Sequence, residues 1–427
     1  MALTFYIAST VLFTIAIIHS NIVNRYWLTL PNVLFVSLSV NFVLYLCGWS
    51  TRFIEPVYDR TYYIIGLLQL VFALVSFGYR KPHKLNRIKL KRIKIIKEPG
   101  IPIASLLLII CILFCAIENI YLHGGLFARS DLYHTGSMPL IGPVLKALYP
   151  VAYIFAFIEF TNSKSKATLV LFVVSLIYSV VGSQGRFWAI CSLLCVVFFA
   201  AYYERPNTDN KKKRKEKGWF ASIKLRYKII IIAIIAIGFN YLMTMGINRI
   251  SMFTYADIIG YSGPWKNTAF GEAFAWYYGY FPFSFYNLNT TIRRVFNSNI
   301  ITWGGFLLYP FLSIINVESL VGIDYSKMTL NARVIQNNAA TVATGYYESI
   351  TDFHDFFIIS IAILLLITFA TIRKKKLNNY ISYSYMLVVW LFMSFLNVFT
   401  VGIPLYVYIL SWLFAKFFVK HNITIDT

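Results

Sequence analysis

Long apolar segments alternate with short polar segments along most of the chain. A helix crosses a bilayer core with roughly 20 mostly apolar residues, and these segments with their flanks reach that length. The pattern predicts an all-α, polytopic transmembrane protein with about 11 spans, in a range of about 10 to 12. The predicted spans are 3–19, 27–48, 61–79, 101–119, 142–160, 167–182, 186–203, 228–246, 356–372, 381–399 and 403–419.

One stretch in the last half of the chain breaks this alternation. Residues 246–355 are rich in polar and aromatic side chains, and a loop of this length without a functional role is uncommon. Within it, the apolar segment 301–317 is short and contains Gly304, Gly305 and Pro310. We expect this segment to lie in the membrane interface or to re-enter rather than to cross. The sequence therefore predicts one membrane domain over the whole chain, with a large cap formed by residues 246–355.

The composition and the charge distribution set the predicted orientation. The chain is 58% hydrophobic and 13% charged, which excludes a soluble protein, and its net charge is +22. Basic clusters at 80–97, 211–217 and 373–376 each adjoin an apolar segment, as cytoplasmic Lys and Arg residues do. We predict that these clusters face the cytoplasm and anionic lipid rather than nucleic acid. The N-terminus and the cap then lie outside, and the C-terminus lies inside.

The cations differ between the two predicted sides, because lysine dominates inside and arginine dominates outside. The planar guanidinium group binds phosphate or carboxylate through two parallel hydrogen bonds and keeps its charge. Interfacial snorkelling or pairing with a carboxylate is the alternative, and we prefer it for Arg52 and Arg60. The candidate anion-binding arginines are Arg129, Arg186, Arg249, Arg293, Arg294 and Arg333.

Arg186 is the most informative of these arginines. It follows Gly182-Ser183-Gln184-Gly185 and opens a predicted helix. A helix N-terminus already favours an anion, and an arginine in its first turn needs an anionic partner. A plain helical hairpin turn with an interfacial arginine is the alternative.

The cap also supplies candidate bases and aromatic side chains. A general base must reach a reacting hydroxyl, and the candidates are Glu272, Glu348, Asp352, His354 and Asp355. The acidic segment at 352–355 lacks the spacing of a metal site, so we predict an ordinary helix start and no metal or cofactor. The aromatic run at 276–286, which includes Tyr278, could stack on sugars, but an interfacial aromatic belt is the preferred interpretation.

Three segments resemble one known family, the oligosaccharide repeat-unit polymerases (O-antigen polymerases) of bacterial envelopes. The predicted plan of helices with one large late loop is similar as well. Two positions depart from the family pattern, since Gln184 stands where arginine usually follows Gly-Ser, and His354 follows Asp-Phe in place of glycine. The segments are His123-Gly124-Gly125 with Arg129, Gly182-Ser183-Gln184-Gly185-Arg186, and the group Asn338 to Thr341, Thr344-Gly345-Tyr346 and Asp352-Phe353.

The resemblance implies a glycosyltransferase of the bacterial inner membrane that acts on the periplasmic side. Donor and acceptor would both be glycans linked to undecaprenyl pyrophosphate, which the transferase joins into a surface polysaccharide such as O-antigen. The arginines would hold the pyrophosphate without a metal, with Tyr278, Tyr346 and Asn338 beside the substrate. Glu348 or Asp352 would lie near the acceptor hydroxyl. The resemblance leaves room for a chain-length regulator as a partner.

Two other functions stay open at the level of sequence. An O-antigen ligase has the same loop plan and related chemistry, but its acceptor is the lipid A core. A flippase for lipid-linked oligosaccharides would be a transporter, and paired halves with broken helices would be expected. The sequence has no such internal symmetry.

Overall fold

The computed structural model describes most of the chain, and its elements are mainly helical. The residues described are 1–52, 55–85, 88–90, 92–93, 101–127, 141–163, 165–182, 186–203, 255–266, 268–298, 301–314, 344–373, 375–399 and 402–420. The α-helices are α1 (Ala2–Asn24), α2 (Leu30–Leu46), α3 (Asp59–Gly78), α4 (Ile103–His123), α5 (Ile141–Ser163), α6 (Lys166–Ile177), α7 (Arg186–Tyr202), α8 (Tyr255–Ile259), α9 (Ala269–Ser298), α10 (Gly305–Ile314), α11 (Tyr346–Phe353), α12 (Ile358–Ile372), α13 (Leu377–Phe392) and α14 (Ile403–Phe418). Shorter elements are a π-helix (Tyr178–Gly182), a 3-10 turn (His354–Phe356) and the strands β1 (Lys89–Leu90), β2 (Arg92–Ile93), β3 (Ile101–Pro102) and β4 (Val419–Lys420).

The predicted apolar spans correspond to helices wherever the structure describes them. Each predicted span except one overlaps one of α1–α7 or α12–α14. The exception, the span predicted at 228–246, lies outside the described residues. Four helices, α1, α3, α4 and α5, are long and apolar enough to cross a membrane, and α2, α6, α7, α12 and α14 are apolar but shorter. These helices confirm the all-α class and indicate a membrane protein with several spans. The exact number of spans stays a prediction.

Small and polar side chains bring the first and third helices together. α1 packs closely along α3, and the Ser9 hydroxyl donates a hydrogen bond of 2.7 Å to Gln69 Oε1. Thr10 donates to the same oxygen at 3.1 Å. Helices in lipid associate through such close packing and interhelical hydrogen bonds, because lipid supplies no hydrophobic drive between them. The opposite side of α1 leaves Ile7, Ile15 and other apolar residues exposed.

The helix α13 forms the centre of the bundle. Every residue in it except Leu391 is buried, and it packs against α2, α7, α12 and α14. Its buried surface carries polar as well as apolar side chains. Two of these reach neighbouring segments, since Trp390 Nε1 donates to Thr368 Oγ1 at 2.9 Å and the hydroxyls of Tyr383 and Tyr79 lie 2.8 Å apart. These buried hydrogen bonds fix α13 against α12 and α3.

The connections predicted to be cytoplasmic meet at one end of the bundle, which we call the basic end. The Leu85 amide donates to the Tyr202 carbonyl at 2.7 Å, and the Tyr380 hydroxyl donates to the His83 carbonyl at 2.5 Å. Strand β1, within the basic cluster, pairs antiparallel with β4 near the C-terminus. The topology predicts that one end of each of α3, α7, α13 and α14 faces the cytoplasm. In the structure, these four helix ends lie together.

The connections predicted to be external meet at the other end, which we call the cap end. The Ser50 hydroxyl donates to the Ile259 carbonyl at 2.6 Å, and the Tyr58 amide donates to Asn289 Oδ1 at 3.0 Å. The segment between α2 and α3 is thereby tied to α8 and α9. The first described helices of the cap therefore contact the ends of α2 and α3 that are predicted to face outward.

The described part of the cap is helical, which the sequence interpretation as a loop did not predict. The long helix α9 lies against α2 and α3, where the Phe285 ring is 5.0 Å from Phe42 and 4.8 Å from Tyr45. The prediction of an interfacial aromatic belt is wrong for Tyr278, Phe283, Phe285 and Tyr286, because these four side chains are buried. Rings at the end of α2 pack against this part of α9.

The helix α13 also ends earlier than the predicted span 381–399. It stops at Phe392, and residues 393–399 form a turn. The Met393 carbonyl accepts a hydrogen bond of 2.8 Å from the Gly345 amide, just before α11. The turn therefore joins the central helix to the cap.

We predict that Gly345→Ala destabilises the protein by about 1–3 kcal/mol, because this contact leaves no space for a side chain. A Cβ atom at position 345 would lie 2.6 Å from Met393 Sδ and 2.9 Å from Asn397 Cα. The measurement is the thermal unfolding midpoint of the purified protein in detergent. Gly78→Ala is the control, since its Cβ atom would meet nothing within 4 Å, and its midpoint should not fall. Equal midpoints for the two variants would contradict the close approach.

Candidate functional site

A small recess at the cap end brings together two of the predicted bases. Its volume is about 190 Å³, and Glu348, Ser349 and Asp352 of α11 form one wall. The other walls come from α10, from the first turns of α12, and from the turn that follows α13.

The spacing of the two carboxylates places them on the same face of α11. Residues four apart are neighbours on a helix surface, so Glu348 and Asp352 lie one above the other. All residues from Tyr346 to Asp352 are buried, which is unusual for a short polar helix and reflects packing against α9, α10 and α12. Two acidic side chains are therefore held within the protein at the cap end.

Asp352 caps a neighbouring helix with both of its carboxylate oxygens. Oδ1 accepts hydrogen bonds from Thr302 Oγ1 at 2.5 Å and from the Phe306 amide at 3.0 Å, and Oδ2 accepts one from the Leu307 amide at 3.0 Å. The first N–H groups of a helix have no partner within that helix, and a capping side chain normally accepts from them. The residue before α10 is Gly304, which has no side chain, so Asp352 takes this role from another helix.

The surroundings of Asp352 act on its protonation in two opposite ways. Burial raises the pKa of the carboxyl group, and the hydrogen bonds from Thr302, Phe306 and Leu307 lower it in part. The net effect is a raised pKa, so this carboxyl group takes up a proton at a higher pH than an exposed aspartate does. A protonated carboxyl has a donor in place of one acceptor position, so the cap is complete only in the ionised form.

Glu348 is the carboxylate that faces the recess one turn earlier. Its side chain is 5% exposed, and Oε1 accepts a hydrogen bond of 3.3 Å from the Tyr347 hydroxyl. Around it, the recess is lined by the polar side chains of Ser349, Ser360 and Asn397. Sequence reasoning missed these three polar residues, because they come from different parts of the chain and belong to no motif.

Glu272 repeats the behaviour of Asp352 at another helix. Its carboxylate accepts from the Ala256 amide, at 3.1 Å from Oε2 and 3.4 Å from Oε1. Ala256 is the second residue of α8, so this carboxylate also caps a short helix of the cap. Glu272 does not line the recess.

His354 follows the last residue of α11 and does not line the recess. Its backbone has a φ of 47°, and its carbonyl accepts from the Phe357 amide at 3.0 Å. The imidazole ring lies 4.9 Å from the Phe296 ring of α9. The structure thus places His354 in a helix–helix contact beside the site.

Arg60 has the carboxylate partner that the sequence interpretation preferred for it. Its Nη2 atom lies 2.8 Å and 3.0 Å from the two carboxylate oxygens of Asp355, and its guanidinium group stacks 3.7 Å from the Phe296 ring. Both charged side chains are partly exposed, so the pair contributes at most about 1 kcal/mol to stability. The contact joins α3, α9 and the turn after α11.

Both tyrosines predicted at the substrate site are structural. Tyr278 is buried and its hydroxyl accepts from the Trp49 amide at 3.0 Å, while the Tyr346 hydroxyl lies 2.7 Å from Ser37 Oγ of α2. Burial raises the pKa of each phenol, and the hydrogen bonds to Trp49 and Ser37 offset this in part. Neither hydroxyl lines the recess.

The predicted arginines fall into three groups. Arg293 and Arg294 are exposed on α9. Arg186 opens α7, as the sequence predicts, but its side chain is not among those described. Arg129, Arg249, Arg333 and Asn338 lie outside the described residues. Within the part of the chain that the structure describes, no arginine lines the recess, and no three His, Cys, Asp or Glu side chains cluster as metal ligands would.

We predict that Glu272→Ala lowers the free energy of unfolding by about 1 kcal/mol, because α8 loses its capping oxygen. Glu272→Gln is the matched control, since its amide oxygen still accepts from the Ala256 amide. Thermal unfolding in detergent measures both variants. Equal loss in the two variants would mean that the charge, and not the hydrogen bond, stabilises this contact.

Comparisons with known proteins identify no relative of this chain. No family profile matches the chain, and no curated protein or solved structure is significantly similar to it.

Proposed function

We propose that the chain is a multi-pass glycosyltransferase of the bacterial inner membrane. It polymerises oligosaccharide repeat units linked to undecaprenyl pyrophosphate into O-antigen or a related surface polysaccharide. The observation that carries this proposal is the buried carboxylate of Glu348, which faces a polar recess at the cap end. Glu348 belongs to the segment around Thr344 to Phe353, whose sequence resembles the late loop of these polymerases.

In the proposed reaction, an acceptor hydroxyl attacks the first sugar of the growing glycan. The bond between that sugar and the pyrophosphate breaks, and a new glycosidic bond forms to the acceptor oxygen. The hydroxyl proton passes to the Glu348 carboxylate, and undecaprenyl pyrophosphate leaves. Asp352 is the weaker candidate for the base, because both of its oxygens already accept hydrogen bonds from Thr302 and α10.

The leaving group gains negative charge, so its stabilisation needs cations near the site. Arg293 and Arg294 are exposed on α9, which packs against α11. Arg129, Arg186, Arg249 and Arg333 complete the proposed set from sequence. No cofactor or metal enters this scheme, since guanidinium groups can hold pyrophosphate by charge and paired hydrogen bonds.

The proposed topology puts the basic end in the cytoplasm and the cap end in the periplasm. The N-terminus then lies outside and the C-terminus inside, with about 11 spans. Two bridges among the described residues support different sides for the end of α7 and the region of α8, since Tyr203 pairs with Leu85 at the basic end and Tyr261 pairs with Ser50 at the cap end.

We predict that Glu348→Gln lowers polymer formation about 100-fold or more, because the amide cannot take up the hydroxyl proton. The measurement is the polymer ladder formed from purified lipid-linked repeat units, per unit of protein in reconstituted vesicles. Glu272→Gln is the control for changing a carboxylate at the cap end, and its ladder should be close to normal.

Three results of this assay separate the functions. A normal ladder from Glu348→Gln removes this residue as the base. Transfer of glycan to lipid A core, with no ladder, identifies a ligase. Movement of the lipid-linked unit across the vesicle membrane without any transfer identifies a flippase.

We predict that an impermeant thiol reagent labels Ser262→Cys in intact cells and labels His83→Cys only after lysis. Both side chains are exposed, at the cap end and the basic end respectively. A Cys47→Ser background removes the exposed native thiol. The reverse labelling pattern would place the recess in the cytoplasm and exclude periplasmic polymerisation.

A further inference from the structure

The recess is too small to admit a glycan as it stands. Its empty space of about 190 Å³ includes open solvent at its mouth, so the part that the protein encloses is smaller than this. Glu348 is 5% exposed, so its carboxylate has almost no contact with solvent. One wall must therefore move before any substrate hydroxyl reaches it.

Among the described elements that form the walls, α10 is the least attached. α12 and the turn after α13 continue helices of the bundle, and α11 is buried among its neighbours. α10 packs mainly against α11, and its outward side is open, since Leu308 is 51% exposed. Contacts from Tyr347 and Asp352 of α11 hold the start of α10, and the Thr351 carbonyl of α11 accepts from the Thr302 amide just before it.

Three hydrogen bonds at the start of α10 depend on the Asp352 carboxylate. Two come from the amides of Phe306 and Leu307, and the third comes from Thr302 just before the helix. Phe306 itself is buried, and its side chain forms part of the recess wall. The same carboxylate therefore fixes the helix and the wall.

The chain that leads into α10 has the features of a hinge. Trp303 and Gly304 are consecutive residues with positive φ, at 50° and 80°. A positive φ is strained for tryptophan, and Trp303 is 76% exposed, so packing does not explain its conformation. Rotation at these two residues would relieve that strain and swing α10 away from α11.

We propose that α10 is a hinged cover over the Glu348 recess and that Asp352 is its latch. Release of the hydrogen bonds to Phe306, Leu307 and Thr302 lets α10 turn about Trp303 and Gly304 and opens the recess. Asp352 is then a positioning residue, which closes the wall around Glu348 without contacting the reacting atoms. The cover stands on its own geometry, and only its role in admitting a sugar hydroxyl rests on the proposed function.

The test measures how fast a thiol inside the recess reacts. Ser349→Cys, in the Cys47→Ser background, places a buried thiol on the recess wall. We expect slow modification by a maleimide in the otherwise unchanged protein, and modification at least about 10-fold faster when Asp352→Asn is added. Thr302→Val removes one of the three donors, and we expect an intermediate rate.

The native core cysteines separate opening of the cover from unfolding. Cys111, Cys115, Cys191 and Cys195 are buried away from the recess and must stay unmodified while position 349 reacts. If Asp352→Asn unfolds the protein and exposes these cysteines, the test relies on Thr302→Val instead. The quantity compared is then the rate of maleimide modification at position 349 with and without Thr302→Val. An unchanged rate at position 349 in the folded variants overturns the latch, whatever the outcome of the polymer assay. A faster rate together with an inactive wild-type protein keeps the cover and removes the proposed reaction.

Discussion

The cap end depends on the need of short helices to have their first N–H groups satisfied. A helix start that is packed against other helices has little water to hydrogen-bond with, and an unpaired buried amide costs about 1–3 kcal/mol. At α10 the preceding residue is Gly304, which offers no side chain, and the Asp352 carboxylate accepts from two amides of this helix. Glu272 serves α8 in the same way. The Glu272 carboxylate thus joins α8 to α9, and the Asp352 carboxylate joins α10 to α11.

This use of carboxylates changes how the site is interpreted. Glu272, Glu348 and Asp352 are equal candidates for a base when only residue type is considered. The structure assigns the oxygens of Glu272 and Asp352 to helix starts, and places the Glu348 carboxylate among the polar side chains of the recess. A residue that caps a helix and a residue that accepts a proton differ in what their oxygens contact, which residue type does not reveal. The proposed division of roles between Glu348 and Asp352 follows from that difference.

The sequence predicts the helices of the bundle well because their cause is local. About 20 apolar residues in lipid must satisfy their own backbone, so composition alone identifies α1, α3, α4 and α5. The cap was predicted less well, because its order comes from contacts between distant segments. In α9, every residue from 282 to 292 is buried, polar and apolar alike, so periodicity alone does not mark an inner face. The aromatic residues of this helix also suit a membrane interface. The residues that share the recess with Glu348 have no signal in the sequence, since Ser360 and Asn397 reach it only through the packing of α11, α12 and the turn after α13.

The arginines of the cap end show why charge alone does not define an anion site. Arg60 has the residue type and the predicted side of the membrane that a pyrophosphate site needs, yet its guanidinium group is held by Asp355 and by the Phe296 ring. Arg293, three residues before Phe296 on the same helix, is exposed. A cation that already has a carboxylate partner must lose it before it binds a phosphate, whereas an exposed cation loses only water. At this end of the bundle, Glu272, Asp352 and Arg60 stabilise the fold because each binds a group from another segment of the chain. Contacts of this kind therefore distinguish the structural cation as well as the structural carboxylates from the candidates for the site.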